Sequence, residues 1–389
     1  MPTVLHLINT AGPGGAETVF RDLVDGLPAR GWKSFAVVPE FDWLTEQLVA
    51  RGHEPIIEVC RGRFDLAAHL WRLARLVRRN SIDVIHSHLW GPSVEASLLG
   101  AITGIPVVCT IHGRGDLSPE ERMRGLKFRI LNRGASRVVF VSESLRRFFL
   151  EQGPLHPERT TVISNGIDTS LHIAGGTGEG ATARGARAAF GVPAGERFVV
   201  GAVGNLRPVK RYDVFLRAAA LLKELSPDYF FVIVGQTPLE LHAELLSLRD
   251  ELGLRDHVHF TGFRDDVERA FTALDLFTIT SDSEGFSIAT VQAMASELPI
   301  VATRCGGPEE ILEDGRTGVL VDTGSPEQLA ETIDQLRHDP GARAALGRAA
   351  RVDAEIRFSL EAQVQSYERL YETVIAERRD RARSRGGAR

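Results

Sequence analysis

No apolar run in the 389-residue sequence is long enough to span a bilayer, so contact with lipid is expected only from the surface. The opening stretch MPTVLHLINTAGPGG has neither a basic leader nor a long apolar core, and no signal peptide is expected there. Cysteine is scarce. Cys60, Cys109 and Cys305 are odd in number, far apart and set among apolar residues, which excludes a disulfide framework and a zinc-ligand spacing and suits a reducing cytoplasm, the expected location. Excess positive charge is also missing: the formal net charge is −5, which argues against a dedicated nucleic-acid binder. No GxGxxG spacing follows the first strand, so a dinucleotide fingerprint is absent. What remains is a globular composition, 43% hydrophobic and 25% charged, in a chain whose length suits two α/β domains.

Short apolar runs alternate with longer amphipathic segments, the mark of βα units and parallel sheets. Strands are expected near 3–8, 34–38, 55–59, 83–87, 106–111, 137–141 and 160–163. Residues 171–187, LHIAGGTGEGATARGAR, break that rhythm and read as a linker. The rhythm restarts with strands at 198–204, 229–235, 257–262, 275–280, 299–303 and 318–321. Two Rossmann-like domains are the economical reading, residues 1–170 and 188–358. A last amphipathic helix at about 359–377 carries Leu360, Val364, Tyr367, Leu370, Tyr371 and Val374 on one stripe and needs no place in the second sheet. The arginine-rich end, 378–389, reads as a solvated disordered tail.

Ligands of open parallel sheets bind beyond the carboxyl ends of the strands, so the loops there carry the chemistry. After the first strand, Gly12, Gly14 and Gly15 let backbone approach a ligand just before a helix start that favours anions; a tight structural turn would look the same. After FVVGAV, the loop GNLRPVKRYD sets Arg207, Lys210 and Arg211 before another helix. That is either a diphosphate cradle that needs no metal or a solvated basic loop. After DLFTIT, Glu284 precedes the turn Gly285–Phe286, and the amides of Ser287, Ile288 and Ala289 face outward from a helix start; Glu284 could equally be a first-turn charge. After PVVC, His112 ends a strand. His86 and His88 share one strand face, but with no third ligand nearby no metal site is expected.

Taken together, these strings resemble a retaining glycosyltransferase of family 4 with the GT-B fold. GGAE at 14–17, DVIHSH at 83–88, TIHG at 110–113, VSES at 141–144 and NGID at 165–168 occur in family order. GNLRPVK at 204–210, FTGF at 260–263, EGFS at 284–287, QAMA at 292–295 and GGPEEI at 306–311 follow. The resemblance implies two Rossmann-like domains facing a cleft, with the last helix crossing back to the first. It implies a nucleotide diphosphate sugar as co-substrate and no resident cofactor or metal. Gly14 and Gly15 would meet the donor phosphate, His112 the donor sugar and the acceptor, and Lys210 the leaving diphosphate. Glu284 would bind sugar hydroxyls beside the anomeric carbon, while the amides after Phe286 hold phosphate.

Two residues depart from the pattern. Asn205 stands where the family often has arginine, and Arg207 two places on would take that role. Gln292 replaces the second glutamate of the E-x7-E motif, a ribose clamp in the family. Exchanging a charged hydrogen-bond acceptor for an amide costs about 1 kcal/mol, or roughly five- to tenfold in donor affinity. The resemblance further implies same-face attack with retention, a hexose-type sugar and a saccharide or lipid-linked saccharide acceptor in cell-surface polysaccharide or glycolipid synthesis. Two basic amphipathic segments are candidates for an anionic membrane face or for ordinary sheet packing. One is RFDLAAHLWRLARLVRRN; the other, SPEERMRGLKFRILNRG, sets Met123, Leu126 and Ile130 among arginines. Two rival functions stay open: a nucleotide-sugar 2-epimerase, whose acid/base carboxylates find no place, and a degenerate binding subunit, suggested by Gln292 and Asn205.

Overall fold

The computed structural model describes residues 1–62, 64–117, 121–172, 181–236 and 238–386. They form two units: Met1–Asn165 with Leu360–Arg389, and Gly166–Ser359.

The first unit is built on strands β1 (Thr3–Leu7), β2 (Lys33–Val38), β3 (Ile56–Ile57), β4 (Val84–His88), β5 (Val107–Ile111), β6 (Arg137–Phe140) and β7 (Thr160–Val162). They make one parallel sheet in the order β3-β2-β1-β4-β5-β6-β7. Every residue of β1, β4 and β5 is buried, as a sheet covered on both faces requires. The second unit holds β8 (Phe198–Val203), β9 (Tyr229–Val234), β10 (Val258–Gly262), β11 (Leu276–Ile279), β12 (Ile300–Thr303) and β13 (Val319–Val321). Their order, also parallel, is β10-β9-β8-β11-β12-β13. In each sheet the chain order reverses at one place, between β1 and β4 and between β8 and β11. Those reversals open the crevices in which doubly wound sheets bind ligands.

Helix Leu66–Arg79 shows why the sequence folds this way. Leu70, Leu73, Ala74 and Val77 recur at helical spacing and are buried, while Arg75, Arg78 and Arg79 stay in solvent. Each large aliphatic side chain so buried contributes about 1.5–3 kcal/mol. Of the two readings open for this apolar stripe, lipid contact or ordinary packing, the stripe is used against the unit's own core. In the second basic segment, Phe128 and Leu131 are buried, whereas Met123 and Leu126 are exposed. Its buried stripe is shifted from the expected Met123–Leu126–Ile130 line; Ser118–Glu120 lie outside the described residues.

The last helix, Leu360–Gly386, belongs to the first unit although it follows the second in sequence. Val364, Tyr367, Tyr371, Val374 and Ile375 are buried. Its salt bridges run from Glu368 to Arg30 (2.5 Å) and from Glu377 to Arg137 (2.5 Å).

Two expected boundaries are corrected. The tail from 378 is helical as far as Gly386; residues 387–389 lie outside the described set. Arginine propagates a helix well, and local pairs support it: Ser384 Oγ donates to the Asp380 carbonyl, and Arg381 faces Glu377 at 3.8 Å. The expected linker 171–187 contains helix Ala181–Ala189, while 173–180 lie outside the described residues. Ala183, Ala186 and Phe190, spaced three and four apart, are buried, so the small side chains that look unable to pack allow close approach instead.

Candidate functional site

In the second unit the loops after β8 and β11 meet at the sheet's switch point. Gly204 follows β8 and Gly235 follows β9, both at positive φ (148° and 152°). A Cβ on Gly235 would lie 2.1 Å from the Gly204 carbonyl oxygen, so only glycine permits these two loops to touch. The chain then passes from Arg207 into the 3-10 turn Pro208–Lys210. Arg211 adopts φ 51° and is held by ion pairs to Asp213 and Asp282. The Tyr212 hydroxyl donates to the Gly204 carbonyl at 3.0 Å.

This turn delivers Lys210 to Glu284. The Lys210 Nζ lies 2.5 Å from Glu284 Oε1, and the Ser281 hydroxyl donates to the same oxygen at 2.6 Å. The two loops are also joined through backbone: the Asp282 N–H reaches the Val209 carbonyl (2.9 Å), and the Thr280 hydroxyl reaches the Lys210 carbonyl (2.8 Å). On its other side Glu284 bridges to the 305–307 segment, donating its N–H to the Cys305 carbonyl and accepting from the Gly307 N–H, both at 3.0 Å. A Cβ on Gly307 would come within 2.9 Å of the Phe286 backbone, so this contact too is reserved for glycine. Burial, with Glu284 nearby, pushes the Cys305 thiol up to about 12, leaving it protonated and inert.

Beyond Glu284 the chain turns through Gly285 and Phe286 into helix Ile288–Ala295. Ser287 caps it, its hydroxyl accepting from the Thr290 N–H at 3.3 Å. Phe286 is 8% exposed and stacks edge-on against Phe358, so its side chain is a core element and only its neighbouring amides can face a ligand. Gln292 is half-buried on this helix, and its side-chain amide makes no hydrogen bond among the described residues. Arg207 is exposed and makes no ion pair among the described residues, whereas Asn205 Oδ1 accepts from the Gln236 N–H at 3.3 Å. Asn205 thus braces the Gly204–Gly235 contact.

The expected residues of the first unit follow β1, at its switch point, and β5, one strand beyond it. Gly14 precedes helix Gly15–Gly26 in an extended conformation. His112 follows β5; its N–H donates to Asp116 Oδ2 (2.8 Å), and its Nε2 lies 3.0 Å from His88 Nδ1. Burial pushes the His112 pKa down to about 3, so the imidazole is neutral near pH 7. Leu89, directly after His88, has φ 72° and ψ 165°, a strained conformation for a branched side chain and one that clusters at functional sites.

Sequence reasoning missed three contributors. Ser281 and the Cys305–Gly307 segment are visible as motif neighbours, but nothing in the sequence aims them at Glu284. His6 is hidden in a strand. In register with His86 on the adjacent strand, it joins His86 and His88 in a fully buried trio. One ring nitrogen from each of the three lies within 4.8 Å of the others, so the third candidate ligand missing from the sequence reading is present. Both His86 nitrogens are already engaged, by Thr110 Oγ1 (2.8 Å) and the Tyr371 hydroxyl (2.6 Å). His86 thereby joins the sheet to the last helix, whereas both His6 nitrogens and His88 Nε2 are buried without a hydrogen-bond partner among the described residues.

Residues 187–353 match the family described as glycosyl transferases group 1, and residues 13–171 match glycosyltransferase family 4. The D-inositol 3-phosphate glycosyltransferase of Salinispora tropica is 32% identical over 322 residues, covering 77% of this chain and 65% of that enzyme. The enzyme of the same name from Corynebacterium aurimucosum is 32% identical over 308 residues, covering 74% of this chain and 71% of that one. The chain thus spans about two thirds of the length of these curated relatives. Among solved structures, Anabaena HepE in complex with UDP-glucose superposes with a TM-score of 0.84 at 26% identity, covering 95% of this chain and 99% of that one. A glycosyltransferase from Rickettsia africae has the same fold, with a TM-score of 0.84 at 19% identity and coverage of 96% and 98%. The two parallel sheets, the ordered motifs at their switch points and these matches place the chain among the glycosyl transferases group 1, in family 4, with the GT-B fold.

Proposed function

We propose that this chain is a retaining, metal-independent glycosyltransferase that moves a hexose-type sugar from a nucleotide diphosphate to an acceptor hydroxyl. The carrying observation is the Lys210–Glu284 pair beside the Ser287-capped helix start. When a nucleoside diphosphate leaves an anomeric carbon, negative charge grows on the leaving oxygens and positive charge on the ring. Lys210, Arg207 and the amides of Ile288 and Ala289 would stabilise the first, and the Glu284 carboxylate would hold hydroxyls of the second. Such fixed charges act more on the transition state than on the ground state. In this reading the leaving phosphate takes the acceptor's proton on the same face of the sugar, and His112, a neutral imidazole, contacts sugar and acceptor as a hydrogen-bonding group.

The relatives narrow the candidates. HepE has been crystallised with UDP-glucose and with UDP and glucose, which supports a UDP-hexose as the first donor to try. The curated relatives named for D-inositol 3-phosphate support a phosphorylated polyol as an acceptor class beside saccharides and lipid-linked saccharides. Cell-surface polysaccharide or glycolipid synthesis is the setting we propose. No described helix is long and apolar enough to cross a membrane. Exposed Phe64 and Trp71, with Arg75 stacked on Trp71 at 5.8 Å, nevertheless suit peripheral contact with anionic lipid.

A thermal-shift panel of UDP-, GDP- and ADP-sugars tests the donor, because a ligand that binds the native state raises its melting temperature. Transfer to inositol phosphate and saccharide acceptors, with NMR of the anomeric centre, then tests the reaction. Stabilisation by one nucleotide sugar followed by an anomer of unchanged configuration is expected. No stabilisation across the panel overturns the reading, and an inverted anomer overturns retention. Epimerised sugar formed from donor alone would establish the rival epimerase. Activity should survive exhaustive chelation; loss restored by added metal would refute metal independence.

A further inference from the structure

Glu284 is 10% exposed, and Lys210 is its single cationic partner among the described residues. In the proposed reaction Lys210 must also serve the diphosphate. These demands compete. A doubly charged diphosphate draws the ammonium away from a carboxylate that cannot recover full hydration, and a poorly hydrated carboxylate without a donor is costly. Something else must hold Glu284 while the donor is bound.

The structure supplies that group. The Ser281 hydroxyl donates to Glu284 Oε1, the same oxygen that meets Lys210, so Oε2 is left to accept from a ligand. Ser281 is 1% exposed, and its own carbonyl accepts from the buried Thr303 hydroxyl at 2.7 Å. Its backbone is therefore clamped to β12 and does not depend on Lys210. The Glu284 main chain is likewise fixed to Cys305 and Gly307 from the opposite side. Rotation about the Glu284 side-chain torsions is the freedom that remains, and the Ser281 hydroxyl removes it.

We propose that Ser281 is a positioning residue that keeps the Glu284 carboxylate aimed at the donor sugar when Lys210 turns to the diphosphate. This inference rests on the transferase reading above and assigns Ser281 no contact with substrate. It follows that the sugar, and not the nucleotide, should feel the loss of Ser281.

The experiment measures calorimetric affinities of wild type, Ser281→Ala and Ser281→Thr for UDP and UDP-glucose and for GDP and GDP-mannose, with kcat and KM for whichever sugar is transferred. Melting temperatures control for folding. Loss of one charge-assisted hydrogen bond predicts a ten- to hundredfold weaker hold on the nucleotide sugar and a comparable fall in kcat/KM. Affinity for the free diphosphate should stay within twofold. Ser281→Thr, which restores a hydroxyl, should recover most of the loss. Equal weakening of diphosphate and nucleotide sugar would show a general disturbance of the loop and overturn the assignment, as would no change in either. If the threonine variant melts early, Ser281→Cys replaces it, and its weaker donor should give an intermediate loss. Failure of the wild-type protein to bind any of the four probes would instead strike the transferase reading itself, which separates the two claims.

Discussion

At the residue scale, electrostatics sets the expected consequences of substitution. Lys210 contributes the cation nearest Glu284, at 2.5 Å, and Lys210→Ala should lower kcat by roughly two to three orders of magnitude, the usual effect of removing one transition-state donor. Single-turnover kinetics with saturating donor would check it, and near-normal turnover would remove Lys210 from the mechanism. Gln292 offers the opposite experiment. Its amide stands unpaired among the described residues at the place where the family carries a carboxylate. Gln292→Glu should tighten donor binding roughly five- to tenfold at little cost in kcat, because a charged acceptor bonds ribose hydroxyls more strongly than a neutral one. Titration of the free nucleoside diphosphate would show the same gain. An unchanged affinity would mean that this helix position does not meet the ribose.

At the element scale, the last helix completes the first sheet. Tyr371 and Tyr367 are fully buried, and their hydroxyls reach His86 Nδ1 (2.6 Å) and Thr110 Oγ1 (3.0 Å). Tyr371→Ala should cost about 3–5 kcal/mol, from the cavity left behind and from an imidazole nitrogen without its partner. Calorimetry would locate the loss in the transition of the first unit. The histidines beneath this helix also predict acid sensitivity. Burial lowers the His6 pKa to about 3, from 6.5. The unfolded chain therefore takes up the proton first, so the stability is complete above about pH 6.5 and is lost progressively as pH falls toward 3. His86 and His88 are shifted in the same direction by burial. His6 alone should cost roughly 1 kcal/mol by pH 5.5. His6→Gln should flatten the fall in melting temperature between pH 7 and 5.5 relative to wild type. An unaltered slope would show that His6 protonates as easily folded as unfolded.

At the scale of the whole molecule, the division of the legible from the hidden follows the range of the forces involved. The strands could be read because a parallel sheet covered on both faces demands apolar runs such as YFFVIV and PIVAT, and those runs are local. The loops bearing Lys210 and Glu284 could be read as motifs for the same reason. Helix Ala181–Ala189 could not, because alanine and glycine look alike in a linker and on a tightly packed helix until a neighbouring surface is present. Nor could the helical end of the last element, where arginines read as solvent-loving say nothing of whether they continue a helix. What the chain determined by itself was its alternation of elements, its two sheets and the chemistry at their strand ends. Tertiary structure alone decided that Lys210 and Ser281 share one carboxylate oxygen, that His6 lies in register with His86, and that Tyr371 returns across 285 residues to bond that histidine. Hydrogen bonds need partners within about 3 Å, and only the folded chain brings residues so distant in sequence within that reach.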